Sequence, residues 1–577
     1  AFFKAAGSDD AIFTLDGTGY TLNTEIMPET SYTLTPQGSA HADNTVLTYD
    51  YDYENRTYIP VYNKIEKISK GSGDSAHAYV WKDTAVTKDG VEVTNPLGQT
   101  IYTKSLETAA DASAADVVWN YNTADTPEVA EKSITYTSHT ISGSGSNLSF
   151  DGGAALNNTA DTGDVSRNFY GAISRAVFAE VPAGFPSASS YSFSVYGGAV
   201  FNSAAVSNIA GDFVENGIRI VSSIYDDSRS GIPVYASAYG GALANYSDNA
   251  YIASITGDFI SNYAFANSSS ALGGAIYNNG GTIASITGDF ISNYAESQND
   301  SAMGGALANY SGNAYIASIT GDFISNYAYT NANSSSARGG AIYNAGTITL
   351  VADAEDDAYE DDILFQGNYV QVGSGDKQYE AIYNYASSAT INFKSNRGGS
   401  YTFYDYINGD GNAKVNFTAE NGTGTLNLYQ YGAIRGQASV NFTGDWQINT
   451  ANGVAESTEI QNLNITDGKT IGLSIDADVA TGTTDSMTVT KHASNTGSIV
   501  INSVALIGTD TAFDDVAIAL GNENIGVASD IANHVDGAKY YMNIEYDEES
   551  KELKLSDLLS QNPLSTQFCK IMSRLMI

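Results

Sequence analysis

The sequence has few of the residues on which disulfides, metal sites and membrane spans depend. Cys569 is the single cysteine in 577 residues, so neither an intrachain disulfide nor a cysteine-based zinc site can form. The five histidines are scattered, with no two at the spacing of metal ligands. No run approaches the length of about 18 apolar residues that a membrane-spanning helix needs. We therefore predict no metal, no cofactor and no transmembrane helix.

Basic residues are also scarce. Lys and Arg together number 26 against 65 Asp and Glu, which gives a formal net charge of -39. Nucleic acids and anionic membrane surfaces attract clustered positive charge, so neither is expected as a partner. The composition is not that of a disordered chain, because 42% of the residues are hydrophobic. With 56 Gly and 9 Pro, it favours a β-rich protein with many turns.

Two short signatures recur and alternate from residue 197 onward. Gly-Gly-Ala followed by an aliphatic residue begins at Gly197, Gly240, Gly273, Gly304 and Gly339. Phe-x-x-Asn begins at Phe213, Phe259, Phe290, Phe323, Phe365 and Phe393. A degraded copy of the first signature is YEAIYN at 379–384. Such a period is typical of a solenoid built from one structural unit per repeat.

Each repeat divides into three short strands. In the copy that begins at Gly273 they are GAIYN, TIASIT and DFISNY, with Gly, Asn and Asp at the junctions. Three strands at this period predict one coil of a right-handed parallel β-helix, so the fold class is all-β. No α-helix is predicted, because apolar residues do not recur at helical spacing. The stretches 264–272, 295–303 and 328–338 are expected to project from one corner as loops that can be deleted.

Comparison of the copies predicts which side chains face the core. The Phe of the second signature never changes and its successor varies, so we expect the six Phe residues to form one interior column and their successors to face outward. The closing Asn is expected in a turn, where it can adopt a left-handed conformation and bond the Asn of the coils above and below. The Gly-Gly pair is expected where a side chain would collide with the adjacent coil.

The alternating GGA[I/L/V] and FxxN signatures of residues 197–396 resemble those of the polymorphic outer-membrane proteins and related autotransporter passengers of Gram-negative bacteria. The later stretches NFTGDWQINT and GSIVINSVALIG are similar to the end of such a passenger domain. The resemblance implies a right-handed β-helix that is secreted or displayed at the cell surface, often as an adhesin associated with virulence. An outer-membrane barrel is expected in the family and is not recognised in this chain.

Four regions are predicted along the chain. Residues 1–140 are expected to form an N-terminal β cap or an irregular start, with a hairpin at Asp89-Gly90. Residues 141–420 form the parallel β-helix with the repeats, and residues 421–562 form its C-terminal part. Residues 563–577 are basic and are interpreted as a tail that could be a truncated linker.

An enzyme is the main alternative to adhesion, and a passive spacer is another. A β-helix polysaccharide lyase or hydrolase needs paired carboxylates, or calcium with a basic residue. The acidic stretch at 351–365, VADAEDDAYEDDILF, has the most carboxylates, but a charge run at a predicted loop is typical of a solvated surface. Ser75 follows Gly-Asp as in some serine proteases, yet Ala76 replaces the Gly that their motif requires. We therefore predict a protein that is not an enzyme and name no catalytic residue.

One column of carboxylates is predicted beside the core. Asp212, Asp258, Asp289 and Asp322 each precede a Phe of the second signature. In stacked coils they would lie about 4.8 Å apart, where like charges repel. We expect each carboxylate to accept backbone N–H bonds within its own Gly-Asp turn. A column that binds calcium is the alternative.

These observations favour a surface protein, secreted by or displayed on a Gram-negative bacterium, that acts in adhesion through a rigid β-helix. Its partner is expected to be a glycan or a protein surface of a host or of the environment.

Overall fold

The structure is a computed structural model, and its described residues contain only strands, turns and bends apart from one 3-10 turn at Ile531–Asn533. In this part of the chain no helix is long and apolar enough to cross a membrane. The prediction of an all-β chain is confirmed. Besides the strands before residue 152, the structure describes residue 153 and residues 155–178, 191–222, 234–354, 362–492, 497–508, 516–538 and 542–557.

Antiparallel pairs predominate among the strands before residue 152. The predicted hairpin turn at Asp89-Gly90 lies outside the described residues, and the strands on either side of it, Thr87–Lys88 and Val91–Glu92, pair antiparallel. Thr18–Ile26 pairs antiparallel with Asp10–Leu15 on one side and with Glu131–Tyr136 on the other. The strands of this region are Asp10–Leu15, Thr18–Ile26, Thr35–Pro36, Val46–Asp52, Thr57–Tyr62, Ile68–Lys70, His77–Ala85, Thr87–Lys88, Val91–Glu92, Tyr102–Thr108, Trp119–Asn120, Glu131–Tyr136 and Asn147–Asp151.

Short strands joined by tight bends follow, as far as residue 409. They are Leu156–Asn158, Val165–Ser166, Phe169–Tyr170, Ile173–Phe178, Tyr191–Tyr196, Val200–Asn202, Ala205–Ala210, Phe213–Val214, Gly217–Ser222, Val234–Tyr239, Leu243–Tyr246, Tyr251–Thr256, Phe259–Ile260, Tyr263–Ala266, Ala271–Leu272, Ile276–Asn279, Thr282–Ile283, Ile286–Thr287, Phe290–Ile291, Tyr294–Ser297, Ala302–Met303, Leu307–Asn309, Tyr315–Thr320, Phe323–Ile324, Tyr327–Thr330, Ala337–Arg338, Ile342–Asn344, Thr347–Asp353, Ile363–Gln366, Tyr369–Val372, Glu380–Asn384, Thr390–Asn396, Ser400–Phe403 and Tyr406–Gly409.

Longer strands characterise the rest of the chain. They are Lys414–Leu428, Ser439–Asn449, Ser457–Ile465, Thr470–Asp478, Thr483–Thr484, Ser486–Lys491, Ser498–Ile507, Val516–Ala519, Ile525–Val527, Val535–Asp536, Met542–Asp547 and Glu552–Asp557.

The chain divides into two units. The first comprises residues 1–316, 323–343 and 367–378, and the second comprises residues 317–322, 344–366 and 379–577. In the first unit, equivalent strands of successive repeats pair in parallel and in register, for example Leu243 with Ile276 and Phe259 with Phe290. After residue 152 this unit is a parallel β-helix with one repeat per coil, as predicted.

Each coil of the first unit contains more strands than the three that the sequence suggested. The stretch 264–272 is not a projecting loop, because Tyr263–Ala266 and Ala271–Leu272 both pair with the next coil. Ala264, Ala266 and Ala271 are fully buried. The equivalent stretches 295–303 and 328–338 also contain paired strands. The prediction of dispensable corner loops is therefore wrong, because small Ala side chains form the core on this side of the coil.

The Phe column is confirmed in the first unit. Phe169, Phe213, Phe259, Phe290 and Phe323 are fully buried, and successive ring centroids lie 4.6, 4.7, 4.9 and 4.7 Å apart. Their successors were expected to face outward, but Ile260 and Ile291 are fully buried as well. Strict alternation holds only along a continuous strand. Here each strand ends after two residues, which is why the expectation fails.

A ladder of buried Asn side chains runs beside the Phe column, as predicted. Asn216, Asn262, Asn293, Asn326 and Asn368 are fully buried, and each of the first four donates its side-chain amide to Oδ1 of the next at 2.9 to 3.0 Å. The left-handed conformation belongs to the residue before the Asn, for example Ser261 at φ 54° and Ser292 at φ 55°. The Asn itself was expected to adopt it, so that detail is corrected.

A second Asn ladder follows the Gly-Gly-Ala strands. Asn158, Asn202, Asn245, Asn278 and Asn309 are linked through their side chains at 2.7 to 2.9 Å. In the second unit Asn344 donates to Asn384 at 2.9 Å, which places the degraded copy YEAIYN at the position equivalent to the Gly-Gly-Ala strand.

The Gly-Gly pairs lie where the coils approach most closely. A Cβ atom on Gly274 would lie 1.9 Å from the carbonyl oxygen of Gly305 in the next coil, and one on Gly241 would lie 2.0 Å from that of Gly274. Both distances are far below any van der Waals contact, so the predicted reason for the Gly-Gly pair is confirmed.

The second unit also stacks its strands in parallel. Thr347–Asp353 pairs with Thr390–Asn396, and that strand pairs with Lys414–Leu428. Phe393 lies opposite Leu350 in this register and stacks on Phe417 at 4.8 Å. Phe365, by contrast, stacks on Phe403 at 4.5 Å. Phe393 was placed in the same column as Phe365, and this is wrong: FKSN at 393–396 has the letters of the signature but the position of another core column.

Candidate functional site

The predicted Asp column has a structural role that differs from the expected one. Oδ1 of Asp212 accepts the backbone N–H of Asp258 at 3.1 Å, and Oδ1 of Asp258 accepts that of Asp289 at 2.9 Å. In the second unit, Oδ1 of Asp322 accepts the N–H of Leu364 at 2.8 Å. Each of these carboxylates binds a neighbouring coil instead of its own turn, because in-register stacking brings the next N–H within reach. Burial raises the pKa of Asp212 above its ordinary value.

The acidic stretch at 351–365 is partly described, since residues 355–361 lie outside the described residues. Both carboxylate oxygens of Asp353 bind the guanidinium of Arg397, at 2.8 and 2.6 Å. Oδ1 of Asp362 accepts the backbone N–H of Ser400 at 2.7 Å. These contacts tie the ends of the stretch to the following coil, and they give no indication of a catalytic carboxylate pair.

The other predicted or discounted site residues are not brought together. Ser75 lies outside the described residues, as does the tail at 563–577. His534 is exposed and contacts Asp530 at 3.3 Å within one turn. Within the described ranges, no group of three or more His, Cys, Asp or Glu is placed to hold a metal ion.

A buried carboxylate pair in the second unit was missed by the sequence interpretation. Oδ2 of Asp476 accepts the backbone N–H groups of Asn452 and Gly453, each at 2.7 Å. Oδ2 of Asp485 accepts the backbone N–H of Asp476 at 2.7 Å, and its Oδ1 accepts that of Glu456 at 2.8 Å. Burial raises the pKa of Asp485 to about 6. Because both carboxylates are used to hold the turn at 451–456, they stabilise the fold and are not free to act on a substrate.

The strongest candidate for a binding site is a corner of the first unit where turns of two lengths alternate. Residues 246–250 (YSDNA) connect two strands in one coil, and residues 310–314 (YSGNA) do so two coils later. In the coil between them, only residues 279–281 (NGG) fill the same interval. The strands on both sides stay in register, since Asn278 pairs with Asn245 and Asn309, and Thr282 pairs with Tyr251 and Tyr315. The two longer turns therefore extend past the shorter one.

The resulting gap is called here the corner notch, and it comprises residues 246–251, 279–282 and 310–315. It forms an open depression with a volume of about 470 Å³. Its base requires glycine: Gly280 has φ 78°, and a Cβ atom there would lie 2.4 Å from Oδ1 of Asp248. The pocket is lined by Tyr246, Ser247, Asp248, Asn279, Ser311, Gly312 and Asn313.

Tyrosines mark both ends of each long turn. Tyr310, Tyr251 and Tyr315 are 43, 41 and 42% exposed. Tyr246 packs its ring against Tyr196 at 4.5 Å, and Tyr310 packs against Tyr277 at 5.8 Å. These ring contacts restrict the side chains of Tyr246 and Tyr310, so part of the notch surface is already ordered before a ligand binds.

The polar lining of the notch contains one charge. Asp248 is exposed and acidic, and no Lys, Arg or His is among the lining residues. The hydroxyl of Ser311 is buried and has no hydrogen-bond partner among the described residues. The site therefore offers hydroxyl, amide and carboxylate groups beside aromatic rings, all of which can form contacts with a polar ligand.

A signal for this site was present in the sequence. The interval between the Asn of the Gly-Gly-Ala strand and the next strand is longer in the copies with YSDNA and YSGNA than in the copy with NGG. The projecting loops were predicted at the other corner, in the stretches 264–272, 295–303 and 328–338, so this difference in turn length did not enter the prediction.

Comparison of the chain with protein-family models, with curated proteins and with solved structures finds no match.

Proposed function

We propose that this protein is a binding protein that acts in adhesion, with the β-helix as a rigid support and the corner notch as its contact surface. One observation carries the proposal: exposed tyrosines recur at the ends of the long turns, on coils that are locked by two Asn ladders and a Phe column. Tyr gives large contact area at low conformational-entropy cost, and exposed aromatic groups on a rigid scaffold commonly mark interaction sites.

The same proposal places the protein outside the cell, secreted by or displayed on a Gram-negative bacterium as an autotransporter-like passenger. The alternating repeat signatures support this location through the family that they resemble. A chain with one cysteine is also suited to crossing membranes unfolded.

Adhesion is tested with beads coated with the full chain. Their retention on layers of mammalian cells and on polysaccharide-coated glass is compared with that of beads coated with an inert protein of similar net charge. The matched variant carries Tyr246→Ala, Tyr251→Ala, Tyr310→Ala and Tyr315→Ala. We expect strong retention of the unchanged chain and its loss in the variant. Retention no greater than that of the inert protein on every surface would refute the adhesive function.

A further inference from the structure

We propose that the corner notch binds a neutral oligosaccharide. One sugar lies in the pocket between the two long turns, and the adjacent sugar lies over Thr282, between Tyr251 and Tyr315. The proposal rests on the adhesive function and names the chemistry of its ligand.

The arrangement of Tyr251 and Tyr315 is the first argument. Both residues pair with Thr282 from opposite sides, so they stand two coils apart, at about twice the strand spacing of 4.8 Å. The residue between them is a half-buried Thr, so a gap separates two exposed aromatic side chains. Aromatic faces carry partial negative charge, and the C–H bonds on the faces of a sugar ring carry partial positive charge, so the two pack favourably.

The polar groups of the pocket fit sugar hydroxyls. A hydroxyl both donates and accepts, and the lining supplies partners of each kind: the Asp248 carboxylate accepts, and the Asn279 and Asn313 amides do both. Several such groups lie close together in the pocket, so a sugar can form more than one hydrogen bond there.

Charge selects against acidic sugars. Asp248 lies in the pocket, no cation lines it, and the whole chain carries a formal charge of -39. A sulfate, sialic acid or uronate would be repelled at the site and over the approach to it. The ligand is therefore not an acidic saccharide, and a neutral one meets no such repulsion.

The notch is a poor site for a peptide. Peptides commonly bind by adding a strand to a free sheet edge. Here the backbone N–H of Thr282 donates to Ala250 at 2.9 Å, and that of Tyr315 donates to Gly281 at 3.1 Å. The coils themselves use these backbone groups at the base of the notch, so the groups are not available to an added strand.

Binding is measured by affinity electrophoresis of the full chain in native gels. The gels contain a neutral polysaccharide (xylan, mannan, galactan or β-glucan) or an acidic one (polygalacturonate or heparin), and a glycan array extends the neutral panel. We expect retardation by at least one neutral glycan and none by the acidic ones. Tyr251→Ala and Tyr315→Ala should each weaken binding roughly tenfold, the usual effect of removing an aromatic anchor. Tyr235→Ala, which removes a tyrosine that is 41% exposed outside the notch, should change nothing.

A second variant fills the notch without removing a tyrosine from its long turns. Residues 279–281 are replaced by the sequence of residues 246–250, and Tyr277→Ala supplies the Ala found at the equivalent positions 244 and 308. All three coils then carry the long turn. We expect loss of glycan binding with an unchanged thermal transition. If this variant does not fold, glycan binding by Tyr251→Ala and Tyr315→Ala tests the proposal instead.

Three results would overturn the proposal: retardation by acidic glycans only, no neutral glycan bound on the gels or the array, or equal weakening by Tyr235→Ala. The bead assay distinguishes an error in the proposed saccharide ligand from an error in the proposed adhesive function. Periodate, which destroys sugars, should abolish retention on cell layers. Retention that survives periodate and is lost after protease treatment of the cells would refute the saccharide ligand and leave adhesion, through a protein partner, intact.

Discussion

Oδ1 of Asn293 accepts two hydrogen bonds from the same residue, one from the side-chain amide of Asn262 and one from its backbone N–H, both at 2.9 Å. The side-chain amide of Asn293 in turn donates to the carbonyl of Phe259 at 2.7 Å. One Asn therefore satisfies backbone groups of the turn next to the Phe column and links it to the turns on both sides. This arrangement explains why a polar residue is kept in a fully buried position.

Removal of one Asn should destabilise several coils. Asn293→Ala leaves the N–H and the amide of Asn262 without their acceptor, and we expect a loss of about 3 kcal/mol or more in local unfolding free energy. The measurement is urea unfolding combined with hydrogen exchange of the neighbouring amides. Asn299→Ala removes an exposed side chain that donates one hydrogen bond to the carbonyl of Asn267 at 2.6 Å, and it should cost about 1 kcal/mol. Equal costs for the two variants would show that the ladder contributes little.

The prediction of the ladder from sequence succeeded because the repeats act as an internal alignment. Positions that never change between stacked copies, such as Phe290 and Asn293, meet their own equivalents above and below, so one comparison reveals both the core and the register. The same logic failed at Phe393. There the spacing of Phe and Asn is reproduced within a continuous strand, Thr390–Asn396, and only the pairing with Leu350 shows that this Phe belongs to another column.

The corners were harder to predict for a physical reason. Stretches rich in Ser, Asn and Ala read as loops, yet Ala264 and Ala271 are core residues where the coil is too narrow for larger side chains. The notch depends on a difference in length between neighbouring turns and on tyrosines that differ between copies. Asp476 and Asp485 belong to no repeat, so nothing in the sequence linked them before the structure placed them together.

The Gly-Gly corner should tolerate no side chain. In Gly274→Ala the new methyl group would lie 1.9 Å from the carbonyl oxygen of Gly305, and backbone atoms on both sides prevent it from moving away. We expect a loss of about 3 kcal/mol, measured by thermal unfolding. Gly163→Ala is the control, since a Cβ atom there meets nothing within 4 Å. Similar transitions for both variants would show that the coils can separate at the corner without cost.

Stability should fall as the pH rises through the range in which Asp485 ionises. Burial raises the pKa of Asp485 from 3.8 to about 6, so the folded state binds this proton more tightly than the unfolded state. The resulting stabilisation is complete below pH 4, and it is lost progressively between pH 4 and 6. A shift from 3.8 to about 6 corresponds to at most about 3 kcal/mol, and screening by solvent lowers this value.

The test compares the urea unfolding free energy of the second unit's transition at several pH values for the unchanged chain and for Asp485→Asn. The variant has no titrating group at this position, so its curve should be flatter between pH 4 and 6. Parallel curves for the two proteins would assign the pH dependence to other carboxylates.

Calcium should not stabilise the Asp column. Oδ1 of Asp258 already accepts the N–H of Asp289, and the described residues contain no cluster of three or more acidic, His or Cys side chains that could hold a cation. Thermal unfolding at neutral pH, first with calcium and then with a chelator, should therefore give the same midpoint. A specific site would instead raise the midpoint with the logarithm of free calcium. Asp289→Asn distinguishes the two cases: a calcium-dependent shift that this substitution abolished would make the column a metal site, whereas hydrogen bonding alone predicts a variant of slightly altered stability with no response to calcium.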